Sequence, residues 1–301
     1  MAGSQARAAS RDNARRAGQV LALPWKEPKP VPDESDLAAV LPRPAATALM
    51  LRDRPLGLEV FMVVRHHQIE FASGALVFPG GKVESEDASA DWDNLTAPPP
   101  DGLDRAFAIA ALRETFEEAG ILIARGRGAP DLLTAARARR IVAAHRGGGE
   151  RARFVDVIRA ANLELATDLL VRFAHWITPI GLPKRYDTHF FIVAAPIDQA
   201  GAHDGSESVE GYWVRPVVAL QEAKDRKRSI VPVTRLNLLR LAKASTVVEA
   251  VAQARSSRIV TVEPRIERHR DGSRTLQIPL EAGYGVSEVH LAAGELPVSG
   301  R

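Results

Sequence analysis

Short apolar runs divide the chain into segments whose lengths are typical of β-strands. They cover residues 45–52, 58–65, 74–78, 169–176 and 189–195. The first two runs flank Asp53-Arg54-Pro55-Leu56-Gly57, where the proline and the glycine predict a turn between two strands. The last run is almost entirely apolar, so we expect that strand to be buried on both faces.

Helical periodicity appears between and after these runs. Residues 129–167 have a helical pattern that is interrupted at Gly147-Gly148-Gly149. Residues 232–242 and 246–254 predict a helix pair, and short strands are expected around Asp271-Gly272. Residues 1–35 are polar and then proline-rich, which predicts a flexible leader. We therefore expect a main domain at residues 36–228 and an extension at residues 229–301 that packs on it.

Composition narrows the class of protein. Of 301 residues, 46% are hydrophobic and 26% charged, as in globular proteins, and no run approaches the roughly 18 apolar residues of a membrane span. The chain has no cysteine, which excludes disulfides, zinc–thiolate sites and cysteine nucleophiles. A net charge of +3 gives no electrostatic case for binding nucleic acid. We expect a cytoplasmic protein with no membrane contact.

The segment Arg113-Glu114-Thr115-Phe116-Glu117-Glu118-Ala119-Gly120-Ile121 carries the candidate chemistry. Helical spacing places Glu114, Glu117 and Glu118 on one arc, opposite an apolar arc, and Gly120 predicts the end of the helix. Carboxylates at the negative end of a helix dipole cost about 0.3–1 kcal/mol each at an exposed site. A divalent cation reverses that penalty, because hard ions prefer clustered oxygen ligands. A solvated acidic face is the alternative.

A glycine-rich loop upstream favours the metal site. Phe78-Pro79-Gly80-Gly81-Lys82-Val83-Glu84 follows an apolar run and predicts a strand that enters a tight loop. Two glycines let the backbone approach an ion or a phosphate closely, and their carbonyl groups are potential metal ligands.

Together the two segments resemble the Nudix box, G-x5-E-x7-R-E-U-x-E-E-x-G-U, where U is a bulky apolar residue. Gly81 matches the first glycine, and the second half matches from Arg113 to Ile121. Asp87 stands where the pattern has its first glutamate, and Thr115 stands at the first U. Residues 88–112 supply 25 residues where the pattern has 7, an insertion of 18.

An insertion at this point is similar to one branch of the Nudix superfamily, the peroxisomal coenzyme A diphosphatases and their bacterial relatives. The segments at residues 63–71 and 185–191 also resemble that branch. Glu70 and His66 depart from the short signature of coenzyme A hydrolases. The resemblance implies an α/β (α+β) fold in which a mixed sheet lies between helices. It also implies hydrolysis of a diphosphate linkage, with Mg²⁺ or Mn²⁺ as the cofactor.

The resemblance also implies roles for individual residues. Glu114, Glu117 and Glu118 are expected as metal ligands and catalytic residues, with the Gly80 carbonyl assisting. Arg113 is expected to orient Glu117 through an i,i+4 ion pair. Candidate substrate-binding residues are Arg65, Gly81, Lys82 and Arg185, because cationic side chains and close backbone suit phosphate.

Several alternatives stay open. The catalytic base is Glu114, Glu207 or Glu210, and Asp87 supports the metal through water or not at all. Trp92 is a candidate for stacking on adenine. The first expected substrate is coenzyme A or acyl-coenzyme A, which would give 3′,5′-ADP and phosphopantetheine. ADP-ribose, NADH and nucleotide sugars are the alternatives, and a binding module without hydrolysis is a possibility of another class. The expected partner is thus a small-molecule diphosphate.

Overall fold

A computed structural model describes residues 39–65, 74–100, 102–147, 152–196, 199 and 208–293. These residues belong to one compact unit that spans residues 33–301. Its thirteen strands in the described ranges are β1 (Arg43–Arg54), β2 (Gly57–Arg65), β3 (Leu76–Val77), β4 (Gly80–Lys82), β5 (Ala124–Gly126), β6 (Leu163–Leu165), β7 (Val171–Ile177), β8 (Tyr186–Ala194), β9 (Ser208–Val214), β10 (Thr261–Val262), β11 (Arg265–Arg268), β12 (Arg274–Gln277) and β13 (Glu288–Leu291). The described residues also form six α-helices, which are α1 (Arg105–Ala119), α2 (Ala135–Gly147), α3 (Phe154–Ala160), α4 (Pro216–Lys224), α5 (Pro232–Leu241) and α6 (Val247–Ser256).

The main sheet is mixed and has eight strands within the part of the chain that the structure describes. Six of them follow the order β10-β7-β8-β1-β2-β3, while β4 pairs with β1 and β9 pairs with β2. The long strand β1 runs parallel to β8 along one edge. Along its other edge it pairs antiparallel with β4 near Ala46 and with β2 near Asp53. This mixed sheet with helices confirms the predicted fold class.

Side-chain alternation along β1 gives the sheet two buried faces. Ala46, Ala48 and Met50 point toward α1 and join one core cluster. Leu49 and Leu51 point the other way and join a second cluster that includes α5 and α6. The strand is therefore apolar at almost every position, since both of its faces are covered.

The C-terminal segment covers the second face of the sheet. Leu236, Leu238 and Leu241 of α5 are buried against it. Trp176 Nε1 of β7 donates a 2.8 Å hydrogen bond to the Tyr284 hydroxyl, which in turn donates a 2.8 Å bond to Asn237 Oδ1. This buried chain of bonds joins the segment to the sheet. The expected domain boundary near residue 229 stays a prediction.

Most elements follow the predicted pattern, and the differences have physical causes. The first hairpin, α1, and the helix pair α5 and α6 lie where the periodicity predicts them. The helical pattern over residues 129–167 is wrong at its end, where Leu163-Glu164-Leu165 forms β6. Both leucines are fully buried and pair with β5, and three residues are too few for periodicity to distinguish a strand from a helix.

Candidate active site

The helix α1 has defined ends that place its glutamates. At its start, the Asp104 side chain accepts a 2.9 Å hydrogen bond from Ala106 N, an N-cap of the usual kind. At its end Gly120 has φ 64°, the left-handed conformation in which glycine has no steric penalty. The predicted stop is confirmed, so Glu117 and Glu118 lie in the last helical turn.

The arc that carries the glutamates is partly buried. Glu114 is only 8% exposed, and Thr115 is fully buried with its hydroxyl donating a 2.7 Å bond to Ala111 O. The alternative of a solvated acidic face therefore does not hold for Glu114. The cause is the strand β4, which lies against this side of α1 as the apolar arc packs on the sheet.

Close contacts with Glu114 and β1 leave no room for a side chain at Gly80 or Gly81. A Cβ on Gly81 would lie 2.4 Å from Glu114 Oε1, and a Cβ on Gly80 would lie 2.5 Å from Thr47 Oγ1. Gly80 N donates a 3.0 Å hydrogen bond to Glu118 Oε2. The N–H and C=O of a strand residue point to the same side, so the Gly80 carbonyl is directed to the same edge of β4 as its N–H.

Arg113 holds the carboxylates together. Its guanidinium donates to Asp87 through Nε (2.9 Å) and Nη2 (3.0 Å). Its Nη1 donates to Glu114 Oε1 (2.7 Å) and to Glu117 Oε2 (3.3 Å). The contact with Glu117 is the predicted i,i+4 ion pair. Nη2 also donates to Lys82 O at 2.8 Å, which links α1 to β4.

The electrostatics of Arg113 follow from these contacts. Burial acts to lower the pKa of Arg113, but the hydrogen bond to Asp87 and the charges of Glu114, Asp87 and Glu117 raise it well above its ordinary value. Asp87 is 1% exposed and also accepts a 2.8 Å bond from Glu84 N through Oδ2. Asp87 therefore serves as the partner that orients Arg113.

The insertion in the box is folded rather than open. A 3-10 turn at Ser85–Ala88 leads into it, and a second one at Ala90–Trp92 lies within it. Trp92 is buried, donates a 3.0 Å hydrogen bond from Nε1 to Glu86 O and packs on Phe154 at a centroid distance of 5.6 Å. The ring is thus part of the core, and the suggestion that it stacks on adenine is wrong.

The contacts of Arg185 and the strand position of Lys82 bear on their predicted role as phosphate ligands. Arg185 is 6% exposed, and its guanidinium donates to Thr178 O (3.0 Å), Val40 O (2.7 Å) and Glu263. Its assignment to substrate binding is corrected, because every nitrogen is bound within the fold. Lys82 follows Gly81 on β4, so strand alternation directs its exposed side chain away from Glu114.

Other candidates lie beyond the described part of the chain. Glu207 is one of them, and His66 and Glu70, the two departures from the coenzyme A signature, also lie outside the described residues. For Arg65 and Glu210 only the backbone is described: Arg65 ends β2 and Glu210 pairs with Val64 in β9. The identity of the catalytic base stays a prediction.

A polar cluster that sequence reasoning missed lies on the same face of the sheet. It consists of His175 on β7 with Asp187 and His189 on β8. Nε2 of His175 lies 2.5 Å from Asp187 Oδ1, and the two imidazole rings stack at 4.1 Å. Burial, and then the neighbouring charge of His175, lower the pKa of His189 to about 4. The spacing of Asp187 and His189, two residues apart on a strand, is the signal that predicts a shared face.

The donor set on α1 fits a hard divalent cation. Asp87, Glu114, Glu117 and Glu118 carry four formal negative charges against one positive charge on Arg113. Each glutamate already directs one oxygen to a donor, either Arg113 or Gly80 N. Carboxylate and backbone carbonyl oxygens are the ligands that Mg²⁺ and Mn²⁺ prefer.

Comparisons with known proteins show which proteins this chain is similar to. The family model described as the NUDT19 Nudix domain matches residues 93–241. Acyl-coenzyme A diphosphatase NUDT19 from Gallus gallus is 28% identical over 248 residues, which cover 64% of this chain and 63% of that protein. The Homo sapiens protein of the same name is 28% identical over 249 residues, covering 68% and 66% of the two chains.

A solved structure supports the fold. The Nudix hydrolase from Alicyclobacillus acidocaldarius superposes with a TM-score of 0.58 at 26% identity, covering 71% of this chain and 97% of that one. The chain spans just under two thirds of the length of the Gallus gallus relative. Among the described residues, every helix is too short or too polar to cross a membrane.

Proposed function

Because this chain is a member of the Nudix hydrolase superfamily, we propose that it is a metal-dependent diphosphatase. Its proposed substrate is coenzyme A or acyl-coenzyme A, which it splits into 3′,5′-ADP and phosphopantetheine or its acyl form. The observation that carries the proposal is the contact of the Gly80-Gly81 strand with Glu114 and Glu118 of α1. Two parts of the chain that lie more than 30 residues apart in sequence meet there as one oxygen-rich site.

The chain's own residues give the site its shape. Glu114, Glu117 and Glu118 are the proposed ligands of Mg²⁺ or Mn²⁺, with the Gly80 carbonyl on the same side. A bound ion of this kind neutralises phosphate charge and lowers the pKa of a coordinated water. Arg113 restrains Glu114 and Glu117, and Gly80 N restrains Glu118, so the carboxylates are positioned before the substrate arrives.

The location of the charges favours a diphosphate as the group that is cleaved. Hydrolysis of a diphosphate depends mainly on positioning and on neutralising charge, and it needs little covalent chemistry from the protein. Partial burial of Glu114 strengthens its electrostatic interactions, because the local dielectric is lower than that of water. Glu114 is the described candidate for the catalytic base, and Glu207 and Glu210 remain proposed alternatives.

The choice of coenzyme A rests on two features. The insertion at residues 88–112 resembles that of the coenzyme A branch, and the relatives that match over much of the chain are named acyl-coenzyme A diphosphatases. Gly81 is kept as a backbone contact to phosphate in this proposal, and Arg65 as a cationic one. The cytoplasmic location expected from the sequence stays a prediction.

A substrate panel tests the proposal. The full chain with Mg²⁺ or Mn²⁺ is assayed on coenzyme A, acetyl-coenzyme A, ADP-ribose, NADH and a nucleotide sugar, and products are identified by mass spectrometry. We expect coenzyme A or its acyl form to give the highest kcat/KM. Glu118→Gln should lower that value by at least about 100-fold, because the variant loses one ligand charge. The exposed Glu267→Gln, on β11, is the matched control and should retain full activity.

Each outcome has a distinct meaning. Hydrolysis of ADP-ribose but not of coenzyme A would overturn the proposed substrate, while the proposal of a diphosphatase would stand. No turnover of any substrate with either metal would favour a binding module, which titration calorimetry with the same panel would then detect.

A further inference from the structure

The cluster of His175, Asp187 and His189 has the composition of a metal site. One potential ligand atom from each residue lies within 4.8 Å of the other two. Two imidazoles and one carboxylate form a donor set that suits zinc and other divalent transition metals. It differs in kind from the carboxylate set of α1, which suits Mg²⁺ or Mn²⁺.

Strand pairing fixes the relative positions of the three residues. His175 lies directly opposite His189 in the antiparallel β7–β8 register. Asp187 precedes His189 by two residues, so alternation places both side chains on one face. All three residues lie on paired strands, where sites are held more precisely than on loops.

The rings also have supporting partners. His175 Nδ1 lies 2.8 Å from Thr261 Oγ1 on β10, while its Nε2 points at Asp187. A hydrogen bond at the second ring nitrogen is the usual device that orients a ligand histidine. Phe107 of α1 packs edge-on against the His189 ring at a centroid distance of 4.5 Å.

The cluster is accessible from solvent, and Asp187 contributes one carboxylate to it. The side chains of His175 and Asp187 are 15% and 33% exposed, so an ion can reach them from solvent. Arg172 acts electrostatically on His189. Three protein ligands leave one tetrahedral position, and a nearby arginine favours an anion or hydroxyl group there.

The cluster is separated from the α1 glutamates by the width of β1. Ala46 pairs with Gly81 on one side and with His189 on the other. Two strand spacings of about 4.8 Å place His189 about 10 Å from the Gly81 backbone, on the same face. We propose that His175, Asp187 and His189 bind a divalent transition-metal ion, with Zn²⁺ as the preferred ion, at a site separate from Glu114, Glu117 and Glu118.

The test measures binding and does not depend on hydrolysis. The full chain is stripped with EDTA, dialysed into excess Mg²⁺ to occupy carboxylate sites, and titrated with Zn²⁺ by calorimetry. Bound zinc is counted by mass spectrometry after desalting. We expect about one Zn²⁺ per chain, and at least a 10-fold loss of affinity in His175→Asn, His189→Asn and Asp187→Asn.

Two controls separate this site from other possibilities. His290→Asn removes an exposed histidine outside the cluster, and Glu118→Gln changes the α1 site; both should bind zinc as the unaltered chain does. Circular dichroism selects the variants that remain folded, and three independent substitutions keep the test decisive. Undetectable zinc binding in Mg²⁺, unchanged affinity in folded cluster variants, or loss of binding in Glu118→Gln would each overturn the proposal.

Discussion

Asp87 and Arg113 form a bidentate ion pair that joins the segment after β4 to the helix α1. The guanidinium Nε and Nη2 donate to the two carboxylate oxygens at 2.9 and 3.0 Å. Asp87 stands where the Nudix pattern has a glutamate. The shorter side chain still reaches Arg113 because the 3-10 turn at Ser85–Ala88 carries its backbone close to the helix.

We expect Asp87→Asn to destabilise the fold. The amide nitrogen replaces one acceptor oxygen and then faces a donor, which is Arg113 Nε at the Oδ1 position or Arg113 Nη2 together with Glu84 N at the Oδ2 position. A charge-assisted bond is lost in either case. The free energy of unfolding in urea should fall by about 1.5–3 kcal/mol.

The control for this change is Asp93→Asn. Asp93 pairs with Arg105 at 2.7 Å, but its side chain is 62% exposed. Exposed pairs contribute at most about 1 kcal/mol, so this variant should unfold almost as the parent does. Equal losses in both variants would contradict a special role for Asp87.

Gly81→Ala should impair catalysis through Glu114. The added methyl group would lie 2.4 Å from Glu114 Oε1, and β4 is held to β1 opposite Ala46, so the carboxylate must move. A displacement of about 1 Å at a reacting centre can cost about 100-fold in rate. We expect a loss of that order in kcat/KM for the substrate that the panel identifies.

Gly147→Ala is the matched control. A Cβ there meets no atom within 4 Å, and the residue ends α2. Its activity should equal that of the parent. Retained activity in Gly81→Ala would mean that Glu114 has no catalytic or metal-binding role.

Arg185→Lys separates a structural role from substrate binding. A lysine cannot reproduce the three bonds to Thr178 O, Val40 O and Glu263. We expect the urea midpoint to fall while KM for the diphosphate substrate stays within about 2-fold, since substrate contacts are unchanged. A large increase in KM with unchanged stability would restore the phosphate role.

The lowered pKa of His189 predicts a dependence of stability on pH. The folded pKa is about 4, against 6.5 for an unperturbed histidine. Between these values the unfolded chain binds more protons, so this contribution to stability is complete above pH 6.5 and is lost as the pH falls toward 4.

His189→Asn should remove the part of the pH dependence of the unfolding free energy that His189 contributes. Urea unfolding is measured with EDTA between pH 7 and pH 4.5 in the parent, in His189→Asn and in the exposed control His290→Asn. His175, Asp187 and Arg172 act electrostatically on the ring and are retained in all three proteins. Identical slopes in the parent and in His189→Asn would show that His189 titrates normally.

The sequence predicts the helical half of the site because its spacing is local. Glu114, Glu117 and Glu118 lie within five residues of one helix that ends at Gly120, so 3.6-residue periodicity alone places them together. The contact of Gly80 with Glu118 joins residues that are 38 positions apart, so local periodicity does not predict it. Only the resemblance to the family pattern indicates that the two segments meet.

The remaining features depend on packing between distant segments. Burial of Arg185 is decided by Val40 and Glu263, which lie 145 and 78 residues away. The meeting of His175 with His189 depends on the β7–β8 register, and a shift of one residue would send one ring to the other face. Neither relationship leaves a signal in local hydropathy.

The C-terminal segment that covers the second face of the sheet has a consequence for protein synthesis. Leu49, Leu51 and Ile192 leave the ribosome well before Leu238 and Tyr284, which pack on the same side. At about 5–20 residues per second, the nascent chain carries an uncovered apolar surface for several seconds. Efficient production of this protein should therefore depend on chaperones that shield the emerging chain, and on low temperature when it is made in a foreign host.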